Sequence, residues 1–260
     1  MKNRIFCMFL GLCLFAISPF SCSVITEKNI RSYVVDFFDS NDFRLESTPS
    51  GNIAMFWCDF TGSVSMKSVG EEAKRYDALC EKYDDLSYNK KTRYLEFIYC
   101  REYPSNEIIL IDVVSNVDFD SEHPAGSSLD GLVRLLSASP ARFIKSGYKE
   151  KFDWKTHYPE EFFKETSEFH LNFCYSDFEA KVYEDVHHHP VNDVLKNLKQ
   201  NNLQLLGRGY NTYDGGPYPG YFFGYLTFDK EPDVAGIHEL TVTVHLADGR
   251  ELSHTIEKTF

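Results

Sequence analysis

Near the C-terminus, Leu240, Val242, Val244 and Leu246 alternate with polar residues up to Ala247-Asp248-Gly249, and Leu252 and Ile256 are the apolar positions of the return. Period-two alternation is the mark of strands with one buried face, because successive side chains leave opposite sides of a strand. A two-residue Asp248-Gly249 turn would set Leu252 opposite His245 and mix the faces. A three-residue loop with Gly249 in the left-handed region instead pairs Leu246 with Arg250, Val244 with Leu252, Val242 with His254 and Leu240 with Ile256. The expectation is the second arrangement, a type I turn with a bulge at Gly249 and His254 on the inner face.

Similar arithmetic runs along the chain. Ile30 to Phe38 and Ile53 to Phe60 are rich in β-branched and aromatic residues and flank the turn chemistry of Ser47 to Asn52, so both read as strands. From Val69 the period becomes helical through Ala73, Tyr76, Leu79, Cys80 and Tyr83, with Ser68 and Glu71 placed as a capping box and an end near Asp85. Arg93 to Tyr103 and Glu107 to Phe119 read as strands. A short helix is expected through Leu132, Val133, Leu135 and Leu136, capped by Ser127 or Ser128. Ala141 to Ser146 reads as a short strand, Glu168 to Val186 as a hairpin and Leu203 to Leu206 as an extended stretch. His187-His188-His189-Pro190 opens a helix to Asn201, and Tyr221 to Phe228 is a strand. The class is mainly β with a few helices, an antiparallel β-sandwich-like fold.

The first residues address the chain. Lys2 and Arg4 precede an apolar run from Ile5 to Ile17, too short for a spanning helix, and Ser18-Pro19-Phe20-Ser21-Cys22 follows. Residues 1–21 read as a signal peptide, 22–29 as a tether, 30–105 as an N-terminal β-rich region and 106–260 as a C-terminal β-sandwich region packed with it as one unit. Ser21-Cys22 resembles the relaxed lipobox of Bacteroidetes lipoproteins, which implies lipidation at Cys22; the alternative is ordinary cleavage after Ser23. The segment Asp118 to Leu129, with its acidic, aromatic turn and Ala125-Gly126-Ser127 step, resembles lipoproteins of unknown function from the same bacteria, as does the terminal strand pair. The resemblance spans Ile108 to Phe260 loosely and implies compartment and fold, not activity. The expected location is the cell envelope, anchored by lipid to the outer membrane, or secreted as a soluble protein.

Charge restricts the partners. The chain carries −12 formally, or −14 once Lys2 and Arg4 are removed, which excludes nucleic acid as a partner because such binding rests on Lys and Arg neutralising phosphates. Cys58, Cys80, Cys100 and Cys174 remain after the signal and Cys22 are set aside, and at least one disulfide among them suits an oxidising compartment; buried thiols are the other reading. No zincin, nucleophile-elbow, P-loop or dinucleotide motif is present, so no catalytic residue and no cofactor is assigned.

Three clusters stand out. Asp118, Asp120 and Glu122 alternate like calcium ligands, but His123 and Leu129 stand where an EF-hand needs Gly and Glu, so a polar turn is expected and no metal is assigned. His187 and His189 could share an ion, against an exposed polar turn. Tyr210, Tyr213, Tyr218 and Tyr221, set among Gly215, Gly216, Pro217, Pro219 and Gly220, are the candidate ligand-binding residues, for a glycan or peptide stacked on their rings. The functional expectation is a non-enzymatic binding or structural module of the envelope. An envelope hydrolase with a site assembled from distant residues, or an adhesion or assembly subunit with an unpaired edge strand, is the alternative.

Overall fold

The computed structural model describes residues 28–48, 50–92, 101–151, 185–192 and 221–260. Among them run β1 (Lys28–Ile30), β2 (Asp36–Ser47), β3 (Ile53–Ser65), α1 (Glu71–Lys82), β4 (Lys90–Thr92), β5 (Glu102–Pro104), β6 (Ile108–Ser115), β7 (Val133–Ser139), α2 (Ala141–Lys145), β8 (Asp185–Pro190), β9 (Tyr221–Phe228), β10 (Ile237–Leu246) and β11 (Glu251–Thr259). A six-stranded sheet in the order β5-β2-β3-β9-β7-β8 faces a three-stranded sheet β11-β10-β6, and β1 pairs with β4 apart from both. Every pairing is antiparallel except that of β2 with β5. The fold is β-rich and sandwich-like, and its larger sheet draws strands from both sides of residue 105.

The terminal hairpin has the expected register. Val244 faces Leu252, Val242 faces His254 and Leu240 faces Ile256, the Leu246 amide donates to the Arg250 carbonyl, and Gly249 sits at φ 88°. Leu240, Val242, Val244 and Leu246 are thereby buried against Phe43, Met55, Trp57 and Phe223 of the larger sheet, which form the sandwich core. A second core gathers Tyr33, Val34, Phe37, Tyr76, Cys80, Tyr83, Tyr103 and Phe143 around α1 and α2. Strand β2 serves both, because consecutive residues point to opposite faces: Phe37 enters the second core and Phe38 the first.

Several local expectations yield to long-range contacts. The strand expected over Ile30 to Phe38 is broken: the amides of Tyr33 and Val34 donate instead to the Asp85 carboxylate, each at 2.7 Å, so a ladder cannot use them. The N-cap of α1 is Gly70 with no side-chain cap, because the Ser68 hydroxyl accepts the Ser65 amide; at the other end α1 runs to Lys82, and the Asp85 amide closes its last turn on the Cys80 carbonyl. Leu132 to Leu136 do not make a capped helix. Val133 to Ser139 are strand β7, held between β8 and β9, since four apolar residues in five fit either period and flanking strands decide. Ala141 to Lys145 are helical, not extended, with the Ala141 amide donating to the Ser139 hydroxyl.

His187 to Pro190 likewise do not open a helix. They end β8 and pair with Ser137 to Arg134, the helical conformation starting only at 191. Pro190 is tolerated there because, among the described residues, β8 lies at the sheet edge. The hairpin expected over Glu168 to Val186 lies outside the described residues as far as Glu184, as do Arg93 to Cys100 and Leu203 to Leu206.

Candidate functional site

Cys22, Tyr210, Tyr213 and Tyr218 lie outside the described residues. Tyr221 is the first residue of β9, its backbone paired with Trp57. The carboxylates of the acidic turn are held within it, Asp118 Oδ1 accepting the Ala125 amide at 2.8 Å. Oδ1 of the buried Asp120 accepts the amides of Glu122 and His123, and Lys230 Nζ stands 2.6 Å from Oδ2. Hydrogen bonding from Lys230, before that from His123 and the amides, holds the Asp120 carboxyl well below the usual carboxylate range. Its oxygens close a turn, and among the described residues no group of three or more His, Cys, Asp or Glu is arranged to hold a metal ion.

Cys58 and Cys80 are free thiols. This removes both from the four candidates for a disulfide, leaving Cys100 and Cys174, which lie outside the described residues. Cys80 is buried on the inner face of α1, as its helical spacing requires, and burial pushes its thiol up to about 11.

The structure does assemble one site the local motifs miss, a polar cleft of about 550 Å³ where the two cores adjoin. Its residues come from five segments. Arg75, Leu79 and Lys82 recur at i, i+4 and i+7, so one stripe of α1 lines the cleft. Strands β2 and β3 add Asp39, Asn41 and Thr61, the turn between β5 and β6 adds Ser105, Asn106 and Glu107, and the terminal hairpin adds Ala247, Asp248 and Arg250.

Hydrogen bonds hold these groups in place. Asp39 takes the Arg75 guanidinium on one oxygen and the Ser105 hydroxyl on the other, while Arg75 Nη1 donates to the Gly62 carbonyl at 3.0 Å. A Cβ on Gly62 would stand 3.1 Å from that guanidinium, and its φ of 65° also favours glycine. Lys82 Nζ lies 2.5 Å from Glu107 Oε1. Arg250 donates through Nε to Asp248 at 2.8 Å and through Nη1 to the Ser40 carbonyl and Asn41 Oδ1, both at 3.2 Å. Hydrogen bonding from Arg250 holds Asp248 below the ordinary carboxylate value.

Three cations, three carboxylates, two amides and two hydroxyls make ten polar side chains among the twelve residues of the lining, and neither His nor Cys is among them. The arrangement offers planar donors and acceptors in fixed positions, with the Ser105 hydroxyl held on an Asp39 carboxylate whose other oxygen is taken by Arg75. Sequence reasoning could see the Arg75-Leu79-Lys82 stripe; nothing local signals that Arg250 reaches Ser40, 210 positions away. No protein-family profile, curated protein or solved structure matches the chain.

Proposed function

We propose that this chain is an exported envelope lipoprotein that acts as a non-enzymatic binding module, and that the cleft seats a hydroxyl-rich ligand of the glycan class. The lining carries the reading. Carboxylates, carboxamides and guanidinium groups are planar and present two donors or two acceptors side by side, which suits neighbouring hydroxyls of a sugar ring, and ten of the twelve lining residues are polar. The volume, about 550 Å³, falls in the range of small-ligand sites. The lining has no aromatic ring, and Tyr210, Tyr213, Tyr218 and Tyr221 would supply the stacking faces that sugar rings favour. Export rests on the basic start and the apolar run from Ile5 to Ile17, and the lipid anchor in the outer membrane rests on Ser21-Cys22.

Titration against envelope and extracellular oligosaccharides, with Glu107→Ala and Arg75→Ala beside the wild type, tests the site. Each substitution removes a group aimed at the cleft and should weaken binding on the order of tenfold, about 1.4 kcal/mol, with little change in melting temperature. Oligosaccharide binding indifferent to both would move the site elsewhere, and no oligosaccharide binding at all would end the glycan reading. Tyr213→Ala and Tyr218→Ala should weaken the same ligand; a large loss of stability with unchanged affinity would make those rings packing residues. For the anchor, Cys22→Ala should shift the protein from the membrane to the soluble fraction, and a wild type already soluble with Val24 as its first residue would exclude lipidation.

A further inference from the structure

Strand β11 closes the three-stranded sheet, and among the described residues no strand pairs with its outer edge. The Leu246 amide bonded to the Arg250 carbonyl sets the phase of the ladder. Leu252, His254, Ile256 and Lys258 therefore turn their backbone groups to β10, and Glu251, Ser253, Thr255, Glu257 and Thr259 turn theirs outward. The strand is nine residues long, holds neither Gly nor Pro, and pairs with β10 without a bulge within its length.

The other described edges of the two larger sheets are blunted. On β6 the outer side is met by a bridge from Val114 to Ser128, by the amides of Gly126 and Leu129, and by the Asn192 side chain on the Ile111 amide. Strands β5 and β8 are short and end in Pro104 and Pro190. Charges on the inner face of an edge strand commonly oppose pairing. The basic side chains on β11 and just before it are engaged within the sandwich: Arg250 with the Ser40 carbonyl, His254 with Asp42, and Lys258 with the Gly51 carbonyl.

We infer that β11 is the pairing edge for a second copy of this chain, the two β11 strands running antiparallel about a two-fold axis through Thr255 and merging two three-stranded sheets into one of six strands. The charge pattern selects partner and register together. Centred on Thr255, Glu251 meets Thr259 and Ser253 meets Glu257 on the outer face, while Leu252 meets Lys258 and His254 meets Ile256 on the inner face, so no like charges oppose. A slip of two residues in one direction sets Glu251 against Glu257 twice and Arg250 against Lys258. The opposite slip sets the basic side chains of His254 and Lys258 against each other. An isologous contact of this kind is self-limiting and stops at the dimer.

Sedimentation velocity of the full chain over a concentration series tests it. The wild type should form a dimer as concentration rises. Thr255→Lys places two ammonium groups at the axis and should shift the chain to monomer, with partial recovery in high salt. Thr255→Pro removes an outward amide without touching the β10 ladder and should also give monomer. Glu257→Lys, which faces Ser253, should leave the dimer in place. Near-ultraviolet circular dichroism establishes that each variant is folded, and should Thr255→Pro fail there, Thr255→Lys on the exposed face decides alone. A folded wild type that stays monomeric at every concentration, or a dimer indifferent to the folded Thr255 variants, would overturn the inference.

Discussion

Nε2 of His254 lies 2.6 Å from Oδ1 of Asp42, joining β11 to β2 across the two sheets and across 212 positions of sequence. The same imidazole stands edge-on to the buried Phe43 ring, with centroids 4.9 Å apart. The two contacts differ in weight. Both His254 and Asp42 are roughly two-fifths exposed, which limits their hydrogen bond to below about 1 kcal/mol, whereas the aromatic contact is worth about 0.5–1.5 kcal/mol. His254→Ala should therefore cost about 1–2 kcal/mol in urea melts, and a double-mutant cycle with Asp42→Ala should give a coupling below about 1 kcal/mol. A larger coupling would make Asp42, not Phe43, the dominant partner.

Asp85 organises the second core. Its carboxylate accepts the amides of Tyr33 and Val34 and the Tyr148 hydroxyl at 2.8 Å, beside the buried Arg101 guanidinium. Burial raises its pKa above the ordinary carboxylate value despite these bonds. Asp85→Ala leaves two buried amides without their acceptor and should cost about 3 kcal/mol, while Asp85→Asn, which keeps one acceptor oxygen, should cost less. Equal losses would mean that the volume of the side chain matters more than its oxygens.

Asp36 supplies a pH dependence with an inverted sign. Burial pushes its carboxyl up to about 6 although the Ser63 hydroxyl donates to it at 2.6 Å. Between the ordinary value of 3.8 and about 6, the folded chain keeps a proton that the unfolded chain has released, so this residue's contribution to stability falls as pH rises through that window. With its partial exposure, the change should be about 1 kcal/mol rather than the full shift. Asp36→Asn should abolish that component, so melts at either end of the window should show the variant gaining on the wild type at the higher pH. A difference between them that does not vary with pH would assign the proton elsewhere.

Gly224 lies where β9 runs between β3 and β7. A Cβ there would come within 2.6 Å of Leu135 Cδ1 and 3.1 Å of the Leu136 carbonyl oxygen. Gly224→Ala should destabilise by about 1–3 kcal/mol through overpacking, and Gly224→Ala with Leu135→Ala should recover part of the loss. Additive losses in the double variant would show that the backbone oxygen, not Leu135, sets the limit.

The residues that were legible in sequence are those whose environment repeats along the chain. Alternation in β10 and the demand for one apolar face were enough to choose among turn lengths, and they placed His254 inside with its register correct. The existence of α1 followed from its helical period, and that of β3 from its β-branched and aromatic content beside turn residues. What failed had a distant cause. Whether Val133 to Leu136 coil or extend depends on β8 and β9 lying to either side, and the break after Ile30 depends on Asp85, some fifty residues on, taking the Tyr33 and Val34 amides.

The cleft belongs to the same second category. Asp39, Arg75, Glu107 and Arg250 are ordinary polar residues in their local windows, and only the packing of α1 and the terminal hairpin against β2 makes them neighbours. By itself the sequence determined the β-rich class, the acidic charge and the hairpin register, because period and composition are properties of short windows and whole-chain sums. Tertiary structure alone decided which ambiguous apolar segments became strands and which charged groups share a cleft, because backbone donors and fixed charges find their partners through space and carry no sequence periodicity.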